Sequence, residues 1–141
     1  MKRIVNISGT IIDVYQEGMP VPVGGTVVEI SGGIATLLSQ GIEHVYSFPN
    51  SRWEITARGV TSRRAENWRR VRVYRDALLV VTDFTQLPDS PYDPTAKAAW
   101  AAYRQALRNV THQPDPTAIV WPDPPLGDYP WLRAIPPMQV L

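Results

Sequence analysis

The chain has 141 residues, 44% of them hydrophobic, with 14 basic and 13 acidic side chains and a formal net charge of +1. That length fits one domain or two very small ones, and the apolar share is enough for a core and too high for disorder throughout. There is no cysteine, which excludes disulfides, thiolate nucleophiles and cysteine-bound metals. The near-neutral total hides an asymmetry: residues 1–57 carry a net −2, residues 58–82 carry +5 through seven arginines, and residues 83–141 carry −2. No run approaches the roughly 20 apolar residues of a membrane-spanning helix. Asp13 and Glu17 interrupt the apolar stretch that follows Lys2 and Arg3, so no signal peptide is expected, and the reading is of a soluble chain made in a cytoplasm.

Residues 1–57 read as a small antiparallel β domain. RIVNI, TIIDVY, TVVEI, IATLL, EHVYSF and RWEITA are short runs rich in Val, Ile, Thr and aromatics. Ser8-Gly9, Ser31-Gly32-Gly33, Gln40-Gly41 and Pro49-Asn50 separate them as turns. The expected product is a meander or small barrel of five or six strands.

Residues 58–112 switch to a helical period. Trp68, Val71, Tyr74, Leu78 and Val81 form one stripe over 61–82, with Thr61 or Ser62 as the expected cap. Arg63, Arg64, Arg69, Arg70 and Arg72 fall mainly off that stripe. A second helix over 93–110 is opened by Asp93 and Pro94, carries Ala96, Trp100, Tyr103, Leu107 and Val110 on one face, and is stopped by Pro114. Arg104 and Arg108 lie toward the negative end of its dipole. Two matching stripes joined by about ten residues predict an antiparallel helical hairpin.

Residues 113–141 are proline-rich: eight prolines fall in the 31 residues from Thr111 onward, which predicts an extended arm with no regular element. Trp121, Tyr129, Trp131, Leu132, Ile135, Met138, Val140 and Leu141 are large apolar anchors that must lie against the arm's own body or a neighbour. The expectation is a docking arm that contributes little to folding. The fold class expected is therefore α+β: an antiparallel β region, a helical hairpin and an extended proline-rich arm.

Four blocks carry a resemblance. They are Arg72 with Tyr74-Arg75-Asp76-Ala77-Leu78-Leu79, Thr82-Asp83-Phe84-Thr85-Gln86-Leu87-Pro88-Asp89, Trp100-Ala101-Ala102-Tyr103-Arg104-Gln105-Ala106-Leu107-Arg108, and Ile119-Val120-Trp121-Pro122-Asp123-Pro124-Pro125. In order and spacing they resemble the tail fibre assembly proteins, or tail assembly chaperones, of tailed phages and prophages, over roughly residues 70–125. The chain departs from that pattern at Phe84, where the family usually has Trp, at Asn109, where it often has Asp, and in running on to Leu141.

The resemblance implies a non-enzymatic chaperone, without cofactor, that binds the phage tail fibre protein in the host cytoplasm and can remain on the virion tail. Tyr74, Leu78, Phe84, Leu87, Trp100, Tyr103, Arg104, Leu107 and Arg108 stand as family motif and core. Partner contact is assigned to Trp121, Pro122, Pro124, Pro125, Tyr129 and Trp131, together with Arg63, Arg64, Arg69 and Arg70. Other tail proteins or neighbouring copies of the chain are further candidate partners. The alternative reading is a structural virion component, a tail or fibre cap, collar or adaptor.

Chemistry is hard to find. His44 and His112 have no companions at metal-ligand spacing, no serine–base–acid set or nucleophile elbow occurs, and neither glycine pair sits in a phosphate loop. No catalytic, metal or cofactor residue is assigned. Seven arginines in residues 58–75 raise nucleic-acid binding, but the isoelectric point near 8.1, the single lysine beyond residue 2 and the lack of a stacking platform argue against it.

Overall fold

The computed structural model describes residues 1–6 and 8–141. The chain divides into two compact units, Met1–Arg64 and Ala65–Leu141, and the division falls inside one long helix. The α+β class is as expected from the sequence, with small antiparallel sheets followed by helices.

In the first unit β1 (Lys2–Val5) lies between β2 (Ile11–Val14) and β3 (Thr26–Glu29), antiparallel to both. Arg3 is opposite Val14 on one side and Val28 on the other, and the β2 register shifts between Ile4 and Val5. The first predicted strand reached Ile7, which lies outside the described residues. β4 (His44–Ser47) and β5 (Arg52–Ile55) form a separate hairpin. The expected single meander or barrel is thus corrected to a three-stranded and a two-stranded sheet. Ile4, Val5, Val28, Ile30 and Ile42 are buried.

Two close approaches join these pieces. Gly9 has φ +81°, and the Tyr46 N–H donates to its carbonyl at 2.8 Å. A Cβ at Gly9 would stand 1.8 Å from the Tyr46 carbonyl oxygen, so both the conformation and the contact require glycine. The Trp53 indole N–H donates to the Glu29 carbonyl at 3.0 Å.

The run IATLL, predicted as a strand, is instead part of helix α1 (Gly32–Ser39). The Ser31 hydroxyl accepts from the Ile34 N–H as N-cap. At the other end the Gly41 N–H bonds Leu38 O and the Ile42 N–H bonds Leu37 O, both at 3.0 Å, with Gly41 at φ +75°. That pair of bonds is a Schellman stop, with Ile42 beyond it on the side of Leu37. Gln40-Gly41, expected to separate two strands, therefore ends a helix.

Helix α2 (Ala57–Thr82) starts earlier than predicted. Its cap is Thr56, whose hydroxyl accepts from the Gly59 N–H at 2.9 Å; Thr61 lies inside the helix and donates to the Ala57 carbonyl. In the second unit α3 (Pro94–Asn109) begins as expected, with the Asp93 carboxylate accepting from the Ala96 N–H at 2.7 Å and Pro94 in the first turn. A 3-10 turn (Asp83–Gln86) follows α2 directly. Gln86 bonds the Lys97 carbonyl while Arg104 reaches back to the Leu79 carbonyl, so the two helices run antiparallel as a hairpin.

Leu78 on α2 and Trp100, Tyr103 and Leu107 on α3 form the buried centre of this unit. Trp121, Tyr129, Trp131, Leu132 and Ile135 pack against it. The proline-rich segment thus wraps its own hairpin, the first of the two placements its anchors allow. It also holds one short helix, α4 (Pro130–Arg133), which corrects the expectation of no regular element: Pro130 occupies a first-turn position where no N–H is needed.

Candidate partner-binding surface

At the seam between α2 and α3 a buried arginine meets a helix end. Arg104 Nη1 donates to the Leu79 carbonyl at 2.6 Å and to Thr82 Oγ1 at 2.7 Å, and Nη2 meets Asp83 Oδ1 at 2.5 Å. Thr82 passes its own hydroxyl hydrogen to the Leu78 and Leu79 carbonyls, and Thr85 donates to Thr82 O at 2.7 Å. Together these groups add side-chain bonds to backbone carbonyls where α2 gives way to the 3-10 turn. Lys97 does the same for Leu87 O at 2.8 Å. The Thr82-to-Pro88 block is therefore a helix stop, and Leu87 within it is 50% exposed.

This network gives a direct test. Arg104→Met removes charge-assisted bonds to a buried carbonyl and hydroxyl and should lower stability by about 1.5–3 kcal/mol. Arg104→Lys should recover only part of the loss, because one ammonium cannot reproduce the guanidinium fork. Thermal melting of both variants checks the order; equal melting of wild type and Arg104→Met would remove the network's structural role.

The tail segment is held by side chains standing in for strand partners. Gln113 Nε2 donates to Val120 O and its Oε1 accepts from the Val120 N–H, both at 2.9 Å. Buried Asn67 accepts from the Leu141 N–H at 2.8 Å, and Arg70 donates to Gln139 O at 3.1 Å. Prolines cannot supply these bonds themselves. None of these three contacts was identified from the sequence, since a lone Gln or Asn has no spacing signature.

Tyr74, Leu78, Trp100, Tyr103, Arg104 and Leu107 come together as predicted for a motif core, whereas Leu87 and Arg108 face solvent. Phe84 is partly exposed, with its ring edge-on to Trp131 at 5.3 Å. Trp121 stands edge-on to Tyr74 at 4.8 Å, and Tyr129 and Trp131 lie 4.8 and 5.6 Å from Trp100. Pro122, Pro124 and Pro125 are half-buried beside them. Burial pushes the Tyr103 phenol up to about 12, with smaller contributions from Tyr74 and Asp123.

Arg63 and Arg64 belong to the first unit, Arg69 and Arg70 to the second. Glu66 bonds both Arg69 and Arg70, and Arg69 above all holds its carboxyl down to about 2. What remains open beside them is a groove of about 290 Å³ lined by Arg69, Val73, Ala77, Ile135 and Met138 among others. Val120 and Leu126, next to the Trp-Pro block, are 77% and 103% exposed. Among the described residues no group of His, Asp or Glu is placed to hold a metal, and no helix is long and apolar enough to cross a membrane.

Residues 68–126 match a family model described as phage tail assembly chaperone protein. That span opens at Trp68 on α2, includes the whole Arg104 network and α3, and closes at Leu126 just after the Trp-Pro block. No curated protein and no solved structure matches the chain.

Proposed function

Since residues 68–126 carry the pattern of the phage tail assembly chaperone family, we propose that this chain is a non-enzymatic chaperone of the tail fibre, acting in the host cytoplasm while the fibre assembles. The family match itself supports a role in phage tail assembly and contact with tail proteins; the fibre as partner is our reading. Fibre chains expose long apolar strands until they find each other, and such edges aggregate. A partner surface for them is supported by the exposed Val120 and Leu126 beside a rigid aromatic core. A fixed core holds surface residues in place, which limits the entropy lost on binding.

A second reading, a structural virion component retained as cap, collar or adaptor, is favoured by one observation. The first unit lies outside the matched residues and has its own buried core, so it is free to serve a different contact. Co-expression with the fibre tests the main reading: the chain should raise the yield of soluble fibre and co-purify with it. A fibre that folds equally well alone and does not co-purify overturns it. Detection of the chain in purified particles distinguishes the retained component from the transient escort.

A further inference from the structure

In the tail segment, the stretch Ile119-Val120-Trp121 is extended backbone with one edge already paired. Val120 turns both its N–H and its C=O to the Gln113 amide, each at 2.9 Å. Its side chain is exposed, whereas the next one, Trp121, packs on the buried centre of the unit. One residue's N–H and C=O on the same edge, with side chains alternating out and in, is the geometry of a strand. The N–H and C=O of Ile119 and Trp121 therefore fall on the opposite edge. Among the described residues they make no hydrogen bond.

Such an edge recognises one class of partner: another extended backbone, whose C=O and N–H groups match it donor for acceptor. Gln113 occupies the first edge, so addition can take place only on the second. The side chains around the edge set the character of the strand that fits. Residues 118–122 carry no charge, and Val120 and Leu126 are exposed. Beside Trp121 lies a groove of about 240 Å³ whose walls include Tyr74, Tyr103, Pro122 and Pro124, room for an apolar side chain. An unpaired apolar strand meets both requirements, hydrogen bonds along the edge and burial beside it.

We propose that an unpaired apolar strand of the fibre chain adds to the free edge of Ile119 and Trp121 and seats a side chain in the groove beside Trp121. This rests on the fibre reading above and gives it a mode of contact. Main-chain bonds supply attraction that is indifferent to most of the strand's sequence, which suits an escort for long repetitive strands. The ladder is short, because only two residues offer their groups. A full-length partner strand within the assembled fibre offers a longer ladder and displaces it, so release follows from fibre closure.

Residue-resolved amide exchange on the full chain, alone and in complex with co-expressed fibre, tests this without any variant. In the free chain the Val120 amide should be protected by Gln113, while those of Ile119 and Trp121 exchange freely. In the complex Ile119 and Trp121 should slow by roughly ten-fold or more, with Val120 unchanged. Two variants separate backbone from side chain. Ile119→Ala keeps the N–H and should co-purify with fibre nearly as wild type does; Ile119→Pro lacks it and should bind at least roughly five-fold more weakly. A complex in which Ile119 and Trp121 still exchange freely overturns the strand and leaves the fibre reading standing, as does equal binding by the two variants. Protection that rises with chain concentration in the absence of fibre assigns the edge to a second copy and overturns the proposal. No complex with fibre at all overturns both readings.

Discussion

Trp100→Ala should lower the stability of the second unit by about 3–5 kcal/mol, the range for truncating a buried tryptophan. Trp100 is 1% exposed and lies within ring contact of Tyr92, Tyr103, Tyr129 and Trp131. Its loss leaves those four rings around a cavity they cannot fill without moving the tail segment as well as α3. A domain of this size has only about 5–15 kcal/mol in total, so much of the unit's margin disappears. Near-ultraviolet circular dichroism should lose its aromatic signal at a lower temperature than in wild type. An unchanged melting curve would place Trp100 outside the core.

Removing residues 114–141 should be at least as damaging. The deletion strips Trp121, Tyr129, Trp131, Leu132 and Ile135 from the cluster around Leu78, Trp100, Tyr103 and Leu107. These five are partly buried; even at half of the about 1.5–3 kcal/mol for full burial of a large apolar side chain, their sum reaches several kcal/mol. Asn67 would also be left buried without its Leu141 partner, and Gln113 without Val120. The truncated protein should aggregate or melt well below the full chain. If it stayed soluble with near-native melting, the tail segment would be dispensable for folding, and its role would have to be contact with another chain.

Some of this was legible in the residues and some was not, for reasons that differ by element. The α3 boundaries and its face were readable because Asp93, Pro94 and a regular apolar step all agree. The strands of the first unit were readable as a class from their Val, Ile and Thr content. The IATLL run has the same composition, and there the outcome was decided by its borders: a serine cap and a glycine stop, each a single residue. The strands pair into two sheets that meet where Gly9 approaches Tyr46, a contact 37 residues apart that no local pattern records.

The tail segment shows the opposite limit. Its proline density predicted no regular element, which the short helix at Pro130–Arg133 corrects, and it said nothing about which surface would receive the aromatic side chains. Arg104 was visible as part of a motif, and its burial was not, because a positive charge in the last turns of a helix reads equally well as a solvated one. The Leu79 carbonyl, the Thr82 hydroxyl and the Asp83 carboxylate, brought beside it by the hairpin, give it a reason to be inside.

The wrap around the hairpin also bears on how the chain is made. Synthesis proceeds from the N-terminus and compact units form as they emerge. The strands and Ile42 of the first unit are all available once residue 64 has been extruded. The second unit joins Leu78 to Ile135, 57 positions apart, so its apolar centre cannot be sealed until that late segment has left the ribosome. Through that interval Trp100 and Tyr103 are uncovered and long-range closure is still to come, the slow kind of contact in folding. Nascent chains stalled before residue 121 should therefore be open to proteases across α2 and α3, and those released beyond residue 135 should be resistant.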